Sequence, residues 1–296
     1  QSVVPRYAGS TWVAGTSALS TMRGVAYGTA SDATVNYVAV GAGGTVYKGL
    51  EGVSQGITGM VWSTVAPVAN INFNAAAYAF SKFIAVGDTG ANNIYTSADA
   101  ITWTAAATTV TTKLNAIASN GTTVLAVGDL GSLFSSTDGS NWTTIAALSG
   151  TPDLYGVSYS AAGYWIVVGQ NGFISTSTDL TTWTTRYNTG STLRGVTASS
   201  ANVFVAVGDS GTFVKSTDGV TWTAQTAFSA ANLNAVSTDS TQFITVGQGG
   251  AIFTSLDGTT WVASTNSSTS DLAAVVGTVS KYVAVGAAGV NISSIH

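Results

Sequence analysis

Residues Val207 to Trp222 read VGDSGTFVKSTDGVTW. An apolar run, Val203–Val207, ends on a Val-Gly pair. A second Gly follows at the third position, and Gly tolerates the positive φ that short strand-to-strand turns demand. Phe213-Val214 then begins a short strand. Ser216-Thr217-Asp218-Gly219 makes a second turn, because Asp at the head of a turn accepts hydrogen bonds from backbone N–H groups ahead of it. Trp222 opens the next strand and gives the turn a large apolar anchor.

The same order recurs along the chain. Val-Gly-x-x-Gly occurs with its first Gly at Gly41, Gly87, Gly128, Gly169, Gly208, Gly247 and Gly286. A short apolar motif precedes each pair, beginning at Met22, Phe73, Leu114, Leu154, Leu193, Leu233 and Leu272. A Trp follows six of them: Trp62, Trp103, Trp142, Trp183, Trp222 and Trp261. Each unit of about 40 residues therefore holds four short strands, A to D, and such units are the signature of propeller blades. The poor alternation of the apolar runs fits sheets covered on both faces by their neighbours. The expected fold is all-β, a single seven-bladed β-propeller over residues 1–296.

The ends predict how the ring closes. Counting from Gly286, Ser294-Ile295-His296 aligns with Ser255-Leu256-Asp257, and Gly9-Ser10-Thr11-Trp12 aligns with Gly258-Thr259-Thr260-Trp261. Residues 1–15 should complete, as strand D, the blade formed by about residues 270–296. A join of that kind removes an exposed sheet edge.

Five turns carry Ser-x-Asp-x-x-x-Trp, with the acid at Asp99, Asp138, Asp179, Asp218 and Asp257. Their expected role is structural, since one carboxylate per turn is a poor offer to a hard cation. This pattern resembles the BNR or Asp-box repeat of sialidases, xyloglucanase-type hydrolases and several non-enzymatic propellers. Val-Gly-Asp-x-Gly followed by Ser-Thr-Asp-Gly-x-x-Trp is most similar to the seven-bladed photosystem II assembly/stability factor family and its secreted bacterial relatives. The resemblance covers nearly the whole chain and implies the propeller fold. The first blade departs from the pattern, with Glu51 in place of the Asp and an insertion, Val53–Met60, before Trp62. Its A–B connection, Thr29–Asn36, is also long, and both excursions are expected on the face that carries the C–D turns.

Catalytic groups are scarce. The only His is His296, the only Glu is Glu51, and Cys is absent. Ser-His-Asp and Cys-His catalysis and the usual zinc sites are excluded, so neither a metal nor a cofactor is expected. A sialidase resemblance implies an arginine triad and a Tyr/Glu pair. The four arginines, Arg6, Arg23, Arg186 and Arg194, form no such pattern. A glycosidase would have to draw both carboxylates from Asp. Trp165, the one Trp outside the repeat, suits either a sugar-stacking surface or a core position.

Charged residues make up 7% of the chain, against about 25% in an average globular protein. The surface must be covered by uncharged polar groups, as in secreted and surface-assembled proteins. The nine basic residues are dispersed and net charge is −4, so nucleic acid is not an expected partner. No apolar run is long enough to span a bilayer. A signal peptide removed before Gln1 and an extracellular or cell-surface location are the expectation.

Propeller topology brings the D–A and B–C connections to one face. The second residues of the strand A motifs, Arg23, Asn74, Asn115, Tyr155, Arg194 and Asn234, should therefore meet Asp88, Asp129, Gln170, Asp209 and Gln248 of the B–C turns. Together they would ring the upper mouth of the channel and hold a polar ligand or peptide, or else only satisfy turn backbone and channel water. The leading functional reading is a secreted or cell-surface, non-enzymatic interaction or structural protein, self-assembling or bound to a protein partner. A glycan-binding lectin and an Asp-box glycoside hydrolase are the alternatives.

Overall fold

The computed structural model describes residues 12–15, 20–51, 59–68, 71–90, 92–108, 110–188, 190–239, 241–278 and 281–294. Residues 1–11, all of the Val53–Met60 insertion but its last two residues, and His296 lie outside these. The described chain forms seven four-stranded antiparallel sheets, a seven-bladed β-propeller. In the fifth blade strand A is Leu193–Ala198, strand B Phe204–Gly208, strand C Phe213–Ser216 and strand D Thr223–Ala224. The other blades repeat this order.

Closure is by the N-terminal strand. Trp12–Ala14 pairs antiparallel with Asn291–Ser294, Trp12 opposite Ser294, and becomes the outermost strand of the blade that contains Leu272–Gly277 and Tyr282–Gly286. Gly15 N–H extends the ladder to Asn291 O at 3.1 Å.

The core is seven clusters, and each lies between two neighbouring blades. One joins Ile166, Val168 and Ile174 of the fourth blade to Leu193, Phe204, Val214 and Trp222 of the fifth. Strand B is apolar almost throughout, with exceptions such as Thr245 and Lys82, because its successive side chains point to opposite faces and serve two clusters. Phe83 and Ala85 pack toward the first blade, while Ile84 and Val86 pack toward the third. Each cluster holds one Trp of the repeat series, and Trp12 fills that place between the sixth and seventh blades. Trp165 is a core residue, 3% exposed and tilted against Tyr159 at 4.9 Å, which removes it as a sugar-stacking surface.

In all five Ser-x-Asp turns the Asp accepts from two backbone N–H groups ahead of it and from the Ser hydroxyl. In the turns of Trp142, Trp183 and Trp222 the indole adds a bond to the turn carbonyl. Asp218 Oδ1 accepts from the N–H groups of Val220 at 2.8 Å and Thr221 at 2.7 Å, and from Ser216 Oγ at 2.9 Å. Ser216 Oγ in turn accepts from Gly219 N–H, and Trp222 Nε1 donates to Gly219 O at 3.2 Å. The residue after each Asp has positive φ: Ala100, Gly139, Leu180, Gly219 and Gly258. The long A–B connection of the first blade lies beside such a turn, since Ser31 N–H donates to Ala98 O of the second blade.

The Val-Gly-x-x-Gly turns correct one expectation. The first Gly is extended, with φ between −161 and −173 in the turns of Gly41, Gly128, Gly169, Gly208, Gly247 and Gly286. It is Gly because a Cβ there would overlap a carbonyl oxygen of the residue preceding strand A, as Gly208 would with Thr192 O. Positive φ falls instead on the last two residues of the motif, such as Ser210 at 54° and Gly211 at 68°.

Candidate functional site at the channel mouth

The ring of strands A encloses a cavity of about 440 Å³. Its wall is set by a backbone irregularity that recurs in every blade. Strand A starts in register with the first Gly of the turn, skips one residue and resumes, as in Leu193 opposite Gly208 and Gly195 opposite Val207. The same skip occurs after Met22, Phe73, Leu114, Leu154, Leu233 and Leu272. A bulge of this kind re-aims the extra residue. The bulge residues are Arg23, Asn74, Asn115, Tyr155, Arg194, Asn234 and Ala273, and all seven line the cavity.

Beyond this ring the wall is small and apolar. Gly24, Ala75, Ala116, Gly156, Gly195, Ala235 and Ala274 come next, then Val25, Ala76, Val157, Val196 and Val236. The small residues are dictated by closure, because neighbouring strands A nearly touch. A Cβ on Gly24 would meet Ala75 Cα at 2.7 Å, and one on Gly195 would meet Ala235 Cα at 3.1 Å.

The B–C turn residues do not line the cavity. Asp88, Asp129, Gln170, Asp209 and Gln248 stand behind the bulge ring, tied to strand A by backbone bonds such as Asp209 N–H to Thr192 O at 3.0 Å. The acids there hold the ring in place. Asp88 accepts from Asn74 Nδ2 at 2.8 Å and Asn72 Nδ2 at 2.9 Å, and Asp129 accepts from Asn115 Nδ2 at 2.7 Å. Arg194 Nε donates to Asp209 Oδ1. Asn74, Asn115 and Asn234 also bridge blades, donating to the carbonyls of Leu114, Leu154 and Leu272. Arg23 donates to Asn74 Oδ1 at 3.0 Å.

Partial burial pushes the Asp88 carboxyl up, but the amides of Asn74 and Asn72, with Lys113 and Arg23 nearby, outweigh it and leave it below the usual range. Burial, then the charges of Asp153 and Asp129, raise the Tyr155 phenol. It stays protonated at neutral pH and can donate.

Two features were not foreseen from the sequence. Lys113, the residue before strand A of the third blade, also lines the cavity. In other blades the same position caps the turn of the preceding blade: Asn72 accepts from Gly43 N–H, Asp153 from Leu130, Asn232 from Ser210 and Asp271 from Gly249, at 2.8–2.9 Å. The recurring Asn or Asp one residue before the Leu motif was the available signal. Among the described residues no group of three or more His, Cys, Asp or Glu side chains could hold a metal ion. No helix among them is long and apolar enough to cross a membrane.

No protein-family profile matches the chain, and no curated protein matches it by sequence. Solved structures share its fold. YCF48 bound to D1 peptide is 15% identical with a TM-score of 0.73, over 96% of this chain and 97% of that one. The WD40 propeller domain of Doa1 is 9% identical with a TM-score of 0.74, over 97% and 96%. Catalytically inactive virginiamycin B lyase from Staphylococcus aureus with quinupristin is 9% identical with a TM-score of 0.77, over 97% and 99%. At these identities the likeness is one of fold, shared with a propeller solved with a bound peptide, a WD40 domain and a lyase.

Proposed function

We propose that this chain is a secreted or cell-surface, non-enzymatic propeller of the Asp-box type that acts as an interaction or structural protein. The observation that carries the reading is the division of labour at the channel mouth. The acids of the B–C turns are consumed in holding Asn74, Asn115 and Arg194, and among the described residues no pair of carboxylates faces across the cavity. Such a mouth can bind and orient, but it lacks the acid and base of a hydrolase. That YCF48 has been solved with a bound peptide supports a protein partner.

Self-association is the form of interaction that the opposite face supports. Ile101, Val220 and Leu256 stand exposed on the C–D turns, with Leu50 at the adjoining end of strand C in the first blade. Few charges separate one such surface from another, and charge is what ordinarily keeps exposed apolar groups apart. Light scattering over a range of concentration, with electron microscopy of the same samples, tests this. Concentration-dependent assemblies that dissociate on Leu256→Lys and Val220→Lys are expected. A monodisperse monomer at every concentration, with no protein crosslinked to it in its native medium, would sink the reading.

A further inference from the structure

We infer that the channel mouth is a receptor for a carboxylate carried on an aliphatic stem. The inference deepens the interaction reading above and rests on the mouth being the binding face. Its starting point is a charge asymmetry. The chain is acidic overall, with net charge −4 and nine basic residues in all. Three of the nine, Arg23, Lys113 and Arg194, line this one cavity, and no carboxylate among the described residues lines it. The remaining described cations are engaged elsewhere: Lys48 faces Asp32, Lys82 and Lys215 clasp turns of the next blade, Arg186 donates to Thr176, and Lys281 is buried.

The three mouth cations keep donors in reserve. Arg194 spends Nε on Asp209, which leaves both terminal nitrogens without a partner among the described residues. Arg23 spends one terminal nitrogen on Asn74. Lys113 Nζ has no hydrogen-bond partner among them, and Asp88, the acid whose carboxyl its charge helps to lower, is held by two amides. The Tyr155 hydroxyl adds a neutral donor on the same wall. Guanidinium and ammonium groups with free N–H donors in a recess are what a carboxylate requires.

The second half of the inference comes from depth. The cations sit at the bulge position, and the next residues inward are Gly or Ala, then Val. A charge carried past the ring would lose its solvation with nothing to pair with. An aliphatic stem would gain from the same transfer, about 0.8 kcal/mol per buried methylene. The cavity of about 440 Å³ falls within the roughly 300–1,000 Å³ typical of small-ligand sites. A free aliphatic acid and the terminal carboxylate of a peptide ending in an aliphatic residue share this chemistry.

Calorimetric titration of the intact chain tests the inference. The probes are hexanoate, hexanamide, and a pentapeptide ending in Leu as its free acid and as its terminal amide. At least one acid should bind and its amide should not, and binding should weaken as salt rises. Arg194→Gln and Lys113→Gln should each lower the affinity roughly tenfold, the scale of a lost charge-assisted hydrogen bond. Lys215→Gln, outside the mouth, should leave it unchanged. Lys113 has no bonded partner to disturb, so its variant keeps the test valid if Arg194→Gln fails to fold. Preference for hexanoate would support a free acid as the ligand, and preference for the peptide acid a chain terminus. Absence of binding by every acid, equal binding of acid and amide, or an affinity unmoved by Lys113→Gln would overturn the inference. None of those outcomes alters the light-scattering result, so the interaction reading stands or falls separately.

Discussion

Arg194 Nε donates to Asp209 Oδ1 across the top of the fifth blade, and this bond fixes which part of the guanidinium is left for the channel. Asp209 therefore positions a cation and at the same time lowers the positive potential at the mouth. Asp209→Asn keeps an acceptor oxygen for Nε and removes the negative charge. Two unit charges about 4 Å apart interact by about 1 kcal/mol even in water and by more near a protein surface. The expected outcome is a several-fold gain in affinity for hexanoate with the circular dichroism of the native fold. Asp209→Ala, which also frees the side chain of Arg194, should gain less. The two titrations, run side by side, check the order.

Trp12 should carry the closure of the ring. It is 7% exposed and packs with Ile244, Val246, Leu272, Tyr282 and Ile292, so it belongs to two blades at once. Trp12→Ala should cost about 3–5 kcal/mol, the range for a buried aromatic replaced by Ala. Because strand Trp12–Ala14 covers the edge of Asn291–Ser294, the loss should also promote association of partly opened molecules. Chemical denaturation monitored by fluorescence, with light scattering below the midpoint, measures both effects.

The Ser-x-Asp turns predict a stability that fails in acid. The backbone N–H groups of Thr221 and Val220 draw the Asp218 carboxyl down to about 2. Burial raises Asp99, but the N–H groups of Thr102 and Ile101 overcome it and leave that carboxyl at about 2 as well. Asp138 and Asp179 are lowered by the same kind of bond, from Asn141 and Thr182 first. A carboxyl lowered in the folded state binds its proton later than in the unfolded chain, where the value is about 3.9. The stabilisation is thus complete above about pH 5 and is lost as pH falls toward 2. Thermal midpoints should be flat from pH 6 to the upper edge of that window and drop steeply below it. Asp218→Asn should start lower at pH 6 and drop less.

Repeat number, blade boundaries and closure were legible because they rest on local signals: paired glycines, a turn Asp and a Trp at fixed spacing. Trp12 could be matched to its empty place by counting alone. The channel wall was only half legible. That strand A supplies it follows from topology, but the bulge that aims Arg194 and Tyr155 inward depends on register between two strands, and no single stretch encodes it. Asp88, Asp129 and Asp209 were grouped with Arg194 because they share its end of the blade. Their amide and guanidinium partners, Asn74, Asn115 and Arg194, draw them behind the wall. Lys113 escaped because the residue before strand A serves as a turn cap in several other blades, a role an ammonium cannot fill, having no acceptor.

Two turn glycines, Gly208 at the first Gly of the motif and Gly249 at an intervening position of the sixth-blade turn, should respond differently to substitution. Gly208 has an extended backbone that any residue adopts, yet a Cβ there would collide with Thr192 O and with Leu193 Cα at 2.8 Å. Both obstacles are backbone at the start of strand A, so relief requires the strand to move away from the turn that Asp209 N–H ties to the same carbonyl. Gly249 is the opposite case, with φ at +66° and open space around the position a Cβ would take. Gly249→Ala should cost only the left-handed backbone penalty, about 1–2 kcal/mol. Gly208→Ala should cost clearly more, and by displacing Arg194 it should also weaken hexanoate binding, which Gly249→Ala should leave intact. Urea denaturation of both variants, followed by titration of whichever folds, measures the contrast. A Gly208→Ala variant as stable as Gly249→Ala would show that the close approach of turn and strand A is not what requires the first glycine.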